Sequence, residues 1–435
     1  METLSDIVEF VIKTATTHGA NEVKASVSQG VSTEVTQRDG RIEKWQDSRS
    51  RSMSAALLVN DRWSVHSTSD LRPEAMRAFL GRAIQATEML EADTDRRLPD
   101  IEEMGWVEPK DLDLDDGGKE PDLRSWVSEL EAATVQAAPD SLRSASAFVW
   151  RGRSERMSMT SNGFCGGFAT TDYGHGATMS LEDTDGRLPE AYYWDSVRHH
   201  EDLGTIENIA DQTSTRAKRR LSSGPVESRQ GMMLLDNRQV ARVLGAAIAP
   251  MRGRPLFEQR SCYLDKLGEQ VGAEGFNLFD EPHLARGLGS RPYDGDARPT
   301  RSRALFENGR LQTWLLDTYY ARRMDRPATT GGTTNLVVPP GDRSVEAILK
   351  DQEWAIRVEG FLGGNSNPAT GMYSFGIHGT LFHHGEVASA VSEMNISGSV
   401  FDLLGNFVEA ADDVYTASSC RSPSLLFDAV QFSGS

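Results

Sequence analysis

Cysteine is nearly missing: Cys165, Cys262 and Cys420 stand far apart in 435 residues, with no Cys-x-x-Cys pair among them. That argues against a disulfide framework or a thiolate zinc site. Positive charge is also short, with 46 Lys and Arg against 64 Asp and Glu and a net charge of −18, so a polyanion such as DNA would meet long-range repulsion. No run approaches the roughly 20 apolar residues needed to cross a bilayer. The opening Met1-Glu2-Thr3-Leu4-Ser5-Asp6 lacks the basic start of a secretory signal, and a cytoplasmic location without membrane contact is expected. Equally absent are a G-x-S-x-G elbow, a glycine loop ahead of Lys-Ser or Lys-Thr, a G-x-G-x-x-G opening a helix after a strand, and any solenoid or propeller repeat. The common hydrolase and nucleotide signatures go with them.

What is present is a globular composition, 38% hydrophobic and 25% charged, long enough for two or three domains. Leu4, Ile7, Val8, Val11 and Ile12 recur at helical spacing up to His18-Gly19. Alternation then predicts a meander of antiparallel strands through Val23 to Val35, Ile42 to Ser48, Ser54 to Val59 and Trp63 to Ser67, with Asp39-Gly40 and Asn60-Asp61 at turns. Pro73 opens a helix whose stripe is Met76, Phe79, Leu80, Ala83, Ile84 and Leu90. Acidic, proline-bearing text from Asp93 to Glu120 reads as a surface connection and sub-domain border. A helix carrying Leu123, Trp126, Val127 and Leu130, further strands, and a helix from Ile206 to Leu221 follow. After Ser222-Ser223-Gly224-Pro225 comes a short buried strand, Met232 to Leu235. Asp236 or Asn237 can cap the next helix, with Val240, Val243, Leu244, Ala247 and Ile248 on its apolar face. Beyond Pro250, short strands and turns dominate. The fold class is therefore α+β: an N-terminal helix and antiparallel-strand region over 1–92, a central α+β region over 93–222, and a mostly β C-terminal domain over 226–435.

Few residues carry chemistry by pattern alone. His199-His200-Glu201 resembles the start of a zinc-protease helix, but Leu203 and Gly204 stand where a second imidazole would be needed, so a solvated turn is expected. His378, His383 and His384 flank a tight turn and could converge on a metal, although the hairpin alone explains His384-Gly385. Cys165 and Cys262, the latter in an expected strand, read as small buried hydrophobes. Arg216, Lys218, Arg219 and Arg220 read as a solvated helix end, where cations complement the helix dipole.

Several stretches taken in order resemble one family: Glu34 to Ser50 with its Asp-Gly-Arg-Ile-Glu turn, Ser261-Cys262-Tyr263-Leu264-Asp265-Lys266-Leu267-Gly268, Gly287-Leu288-Gly289-Ser290-Arg291-Pro292-Tyr293-Asp294, Leu315 to Arg322, Thr370 to Phe375, and Ile396 to Leu404. Together they resemble the TldD/PmbA proteins, called modulators of DNA gyrase, and within them the PmbA (TldE) branch. The resemblance implies a cytoplasmic complex that cleaves unstructured peptides, including leader peptides and labile antitoxins, in which only the TldD subunit carries zinc, on a His-Glu-x-x-x-His helix. The matching positions here are Gly245, Ala246 and Pro250, none able to ligate or take a proton. Cys420 occupies the C-terminal region from which TldD subunits supply a cysteine. Tyr293-Asp294-Gly295-Asp296-Ala297 departs from the Asp-Asp-Glu-Gly text of the family.

The expectation is thus a non-catalytic subunit with no metal or catalytic residue of its own, the zinc lying in a TldD-type partner, or else a pairing with a second copy of itself. Unstructured peptide would add to exposed strand edges, and Gly363, Gly364, Asn365, Asn367, Tyr373 and Ser374 are candidates to line the channel. Two alternatives stand beside it: a divergent peptidase or amide hydrolase working through His378, His383 and His384 or a cysteine, and a gyrase-directed binding protein without direct nucleic-acid contact.

Overall fold

The structure, a computed structural model, describes residues 3–434; Met1 and Glu2 of the N-terminal stretch weighed above, and Ser435, lie outside them. Helix α1 (Leu4–Thr17) starts on a reciprocal cap, in which Thr3 Oγ1 accepts the Asp6 N–H and the Asp6 carboxylate accepts the Thr3 N–H. Strands β1 (Glu22–Arg38) and β2 (Arg41–Val59) meet at Asp39-Gly40, both at positive φ as a tight hairpin requires. Strand β2 is a single long strand rather than the two runs expected over Ile42 to Ser48 and Ser54 to Val59. The pattern breaks between those runs because residues 49–52 are exposed on both faces. Strand β3 (Arg62–Thr68) and helix α2 (Pro73–Glu88) follow, and α1 and α2 bury Ile7, Val8, Val11, Met76 and Leu80 against the sheet.

The chain continues through α3 (Leu123–Gln136), β4 (Leu142–Thr160), β5 (Cys165–Leu181), β6 (Glu190–Val197) and α4 (Ile206–Lys218). The strand order is β3-β2-β1-β4-β5-β6, antiparallel throughout, so β1 lies between β2 and β4 and one sheet spans both sides of the 93–120 connection. That connection does not simply run over the surface. Its Leu98, Leu112 and Leu114 are buried, because the leucines of Asp111-Leu112-Asp113-Leu114 turn inward while Asp113 turns out to Arg286, 2.6 Å away.

The C-terminal half contains β7 (Arg229–Leu235), α5 (Val240–Ile248), α6 (Gly253–Phe257), β8 (Leu278–Asp280), β9 (Arg303–Glu307), β10 (Arg310–Leu311), α7 (Thr318–Arg323), β11 (Leu336–Val337), α8 (Val345–Lys350), β12 (Ala355–Phe361), β13 (Asn365–Ser366), β14 (Met372–His383), β15 (Glu386–Ser399), α9 (Val400–Gly405), β16 (Phe407–Ala410), β17 (Cys420–Arg421) and β18 (Leu425–Gly434). Strand β12 pairs in parallel with β7 and antiparallel with β14, so β12, β7, β18, β15 and β14 close into a ring. Met233, Phe375, Ile377, Ile396, Phe427 and Phe432 fill its core, and α5 packs Val240, Val243 and Leu244 into the same cluster. A second, smaller sheet has the order β10-β9-β8-β11-β17. The architecture is α+β, with the strand-rich part C-terminal. No helix among the described residues is long and apolar enough to cross a membrane.

Candidate functional site

Helix α5 carries the positions where the resemblance places metal chemistry. Its apolar stripe fixes which face is buried, but its N-terminus is not capped as expected: Gln239 takes the N-cap place and no side chain caps the helix. Asp236 is engaged elsewhere. It is buried, and its carboxylate meets Arg357 at 2.8 Å and Arg216 at 3.4 Å. Burial alone would raise its pKa, but the two guanidinium groups and further hydrogen bonds outweigh burial and hold it below the usual carboxylate range. Asn237 donates its side-chain N–H to the Asp413 carbonyl at 2.6 Å, and its backbone N–H goes to Ser424 Oγ at 3.1 Å.

Along α5, Gly245 is exposed and a Cβ there would meet nothing within 4 Å. Ala246 is buried, and Pro250, just past the helix, is buried with its carbonyl accepting the Ser261 hydroxyl at 2.6 Å. None presents a donor atom on its side chain. Burial pushes the Cys420 thiol up to about 12 and the Cys262 thiol up to about 11, so neither offers a thiolate near neutrality. Cys262 is not in a strand; it lies in a turn, its N–H bonded to the Pro368 carbonyl at 2.8 Å. Among the described residues no three His, Cys, Asp or Glu are grouped as metal ligands. The donor set at α5 does not fit a zinc ion.

The other candidates are placed apart. His378 sits on β14 where Gly360, lacking a Cβ, leaves room for its ring. Burial, aided by Arg220 and Arg216, lowers its pKa to about 4. His383 is exposed with Nδ1 3.0 Å from the Glu353 carbonyl, and His384 is the turn residue at φ 47. The three do not converge. The reading of His199-His200 as a solvated turn also fails: His199 is buried, with Nε2 3.0 Å from the Asp113 carbonyl, and His200 packs edge-on against Trp126 and Tyr173.

The basic cluster at the end of α4 departs most from expectation. Only Lys218 is exposed. Arg216 reaches Asp236, and Arg219 reaches the buried Glu359 at 2.6 Å, which in turn accepts the Thr380 hydroxyl at 3.0 Å. From the other side Arg238 pairs with Asp195 at 3.1 Å, its guanidinium lying 4.0 Å from the Tyr193 ring centroid and 4.1 Å from that of Tyr415. These residues join the two halves of the molecule. The arginines were visible in the sequence; their counter-charges, on distant strands and loops, were not.

The strand-edge candidates lie together. Asn365 and Ser366 form β13, the terminal strand of its sheet, pairing with Ser374 and Tyr373 of β14. Gly363 and Gly364 lead into it at φ 110 and 97, and a Cβ on Gly364 would overlap the Ser374 carbonyl oxygen. Asn367 closes the turn by accepting the Ala369 N–H at 2.9 Å. The Tyr373 ring is buried, stacked 5.5 Å from Phe375, whereas Ser374 is exposed. Arg242 of α5 donates to the Gly364 carbonyl at 2.8 Å, so this edge and α5 adjoin.

Comparison with known proteins identifies the family. Residues 228–434 match the PmbA/TldA metallopeptidase C-terminal domain, residues 116–221 its central domain and residues 23–87 its domain 1. The chain belongs to the PmbA/TldD family. Metalloprotease PmbA homolog of Haemophilus influenzae is 26% identical over 99% of this chain and 96% of its own length. Metalloprotease PmbA of Escherichia coli O157:H7 is 25% identical over 95% and 92%. Among solved structures, a Bacteroides thetaiotaomicron protein described as a modulator of DNA gyrase superposes with a TM-score of 0.91 at 28% identity, covering 100% of both chains. TldE of Thermococcus kodakarensis shares the fold, with a TM-score of 0.83 at 18% identity over 98% of this chain and 100% of that one.

Proposed function

We propose that this PmbA/TldD-family chain is a non-catalytic subunit of the PmbA/TldE type, which completes a cytoplasmic peptidase when paired with a metal-bearing TldD-type chain. The observation that carries the reading is the absence of any donor side chain at Gly245, Ala246 and Pro250, on and just past α5. Relatives named metalloprotease support the peptidase class. Activity that needs zinc is then supplied by the partner, and this chain shapes the path of the substrate. An unstructured peptide adds to the open edge at β13 through main-chain hydrogen bonds, a mode that tolerates many sequences. Gly363, with open space where a Cβ would stand, lets a second backbone approach closely, whereas Gly364 already takes the close approach of β14.

The test is reconstitution. The chain is mixed with a TldD-type protein and an unstructured peptide, and cleavage is followed with each component left out in turn. Cleavage is expected only from the mixture. Activity undiminished without this chain, or chelator-sensitive turnover by this chain alone, would overturn the reading.

A further inference from the structure

Where the end of α4, the start of α5, the end of β12 and the middle of β14 meet, the two halves enclose a cleft of about 470 Å3. Arg216, Arg219, Arg220, Arg238 and Arg242 line it against a single lining carboxylate, Glu359. In a chain of net charge −18 this is a local reversal of sign.

The partners each arginine already has decide what is left for a ligand. Arg219 is engaged by Glu359, and Arg238 by Asp195 and two aromatic rings. Arg216 shares Asp236 with Arg357, and its Nε is buried without a partner. Arg220 and Arg242 have no carboxylate within 4 Å among the described residues. Arg220 is half-buried and donates to the Glu190 carbonyl at 2.9 Å, with the Glu190 carboxylate acting only at longer range. Arg242 uses one donor on Gly364 and lies 5.0 Å over the Phe375 ring, leaving the rest of its planar fork open. Arg220 is thus a partly desolvated guanidinium without a counter-ion, which is costly, and an anion relieves that cost, while the exposed Arg242 offers its open fork from the rim. The remaining wall is partly apolar, formed by Tyr192, Phe361, Leu362 and Val391, while His378 adds a neutral imidazole.

We propose that this cleft binds an oxyanion, carboxylate or phosphate, carried on a compact and partly apolar body, held chiefly by Arg220 and Arg242 with Arg216 behind them. Guanidinium forks match both oxyanions in a two-pronged geometry, and the volume is ordinary for a small-molecule site. The inference needs neither a partner subunit nor a metal, so it stands or falls apart from the peptidase reading.

Isothermal titration of the purified full-length chain with three probes tests it: an N-acetylated tripeptide with a free C-terminal carboxylate, the same peptide as its amide, and inorganic phosphate. Saturable binding of the free acid or of phosphate is expected, the responding probe identifying the oxyanion, with the amide at least tenfold weaker than the acid if the acid binds. The R220A/R242A double variant should lose at least tenfold in affinity for that anion. Leu362→Glu, at an exposed rim position, should place a competing carboxylate in the cleft and weaken the anion as well, with the thermal melt unchanged; a tenfold loss in either variant supports the site. No saturable binding of either anion, an amide bound as tightly as the acid without phosphate binding, or an anion affinity unchanged in both variants would overturn the proposal.

Discussion

Asp236, itself buried, balances two partly buried cations, and its replacement shows what that balance is worth. Asp236→Asn leaves the partly buried Arg357 without its nearest counter-charge, and a loss of about 3–5 kcal/mol is expected in chemical denaturation, the range for breaking a buried pair from one side. Because the folded state holds this carboxylate below its ordinary range, its contribution is present above the unfolded value near pH 4 and is lost as the pH falls through the folded one. Two histidines act at milder pH. His378 and His175 are both held down to about 4, mainly by burial, whereas the unfolded chain protonates them near 6.5. Between those values the unfolded state binds the extra protons, so stability falls as the pH drops from about 6.5 to 4, by a few kcal/mol in all. Melting temperature followed over that interval checks the slope, and His378→Gln should flatten it by removing one of the two contributions.

At the level of single elements, β13 depends on one backbone conformation. Gly364 stands at φ 97 against the Ser374 carbonyl, so Gly364→Ala combines a strained dihedral with a clash and should cost about 1–3 kcal/mol locally. Faster amide exchange confined to residues 365–374 is the expected signature, together with a drop in reconstituted peptide cleavage. The elements that could be read from the sequence are those whose cause is local. Asp39-Gly40, Asn60-Asp61 and His384-Gly385 all turn where polar residues and glycine accept positive φ. At Gly245, Ala246 and Pro250 residue type alone says that no side chain can ligate, but the reason to look at those positions came from the resemblance. What escaped was set by distant partners. Asp236 looked like a cap because its arginines stand 20 and 121 residues away, and Arg219 looked solvated because Glu359 is 140 residues off. The stretch 49–52 of β2, between its two expected runs, was not read as strand because neither of its faces is covered.

On the scale of the whole molecule, the central position of β1 ties together parts of the chain that composition alone would separate. Lys24 to Arg38 pair with Thr160 to Ser146 on one edge while β2 holds the other. A fragment ending near residue 92 therefore keeps a long bare strand edge and should self-associate, visible by light scattering, whereas one ending near 222 should stay monodisperse. The same arrangement imposes a schedule on synthesis. A ribosome adding roughly 5–20 residues per second needs about ten seconds between completing β1 and delivering the strand that shields it, and for that interval the nascent hairpin is a natural client for a chaperone.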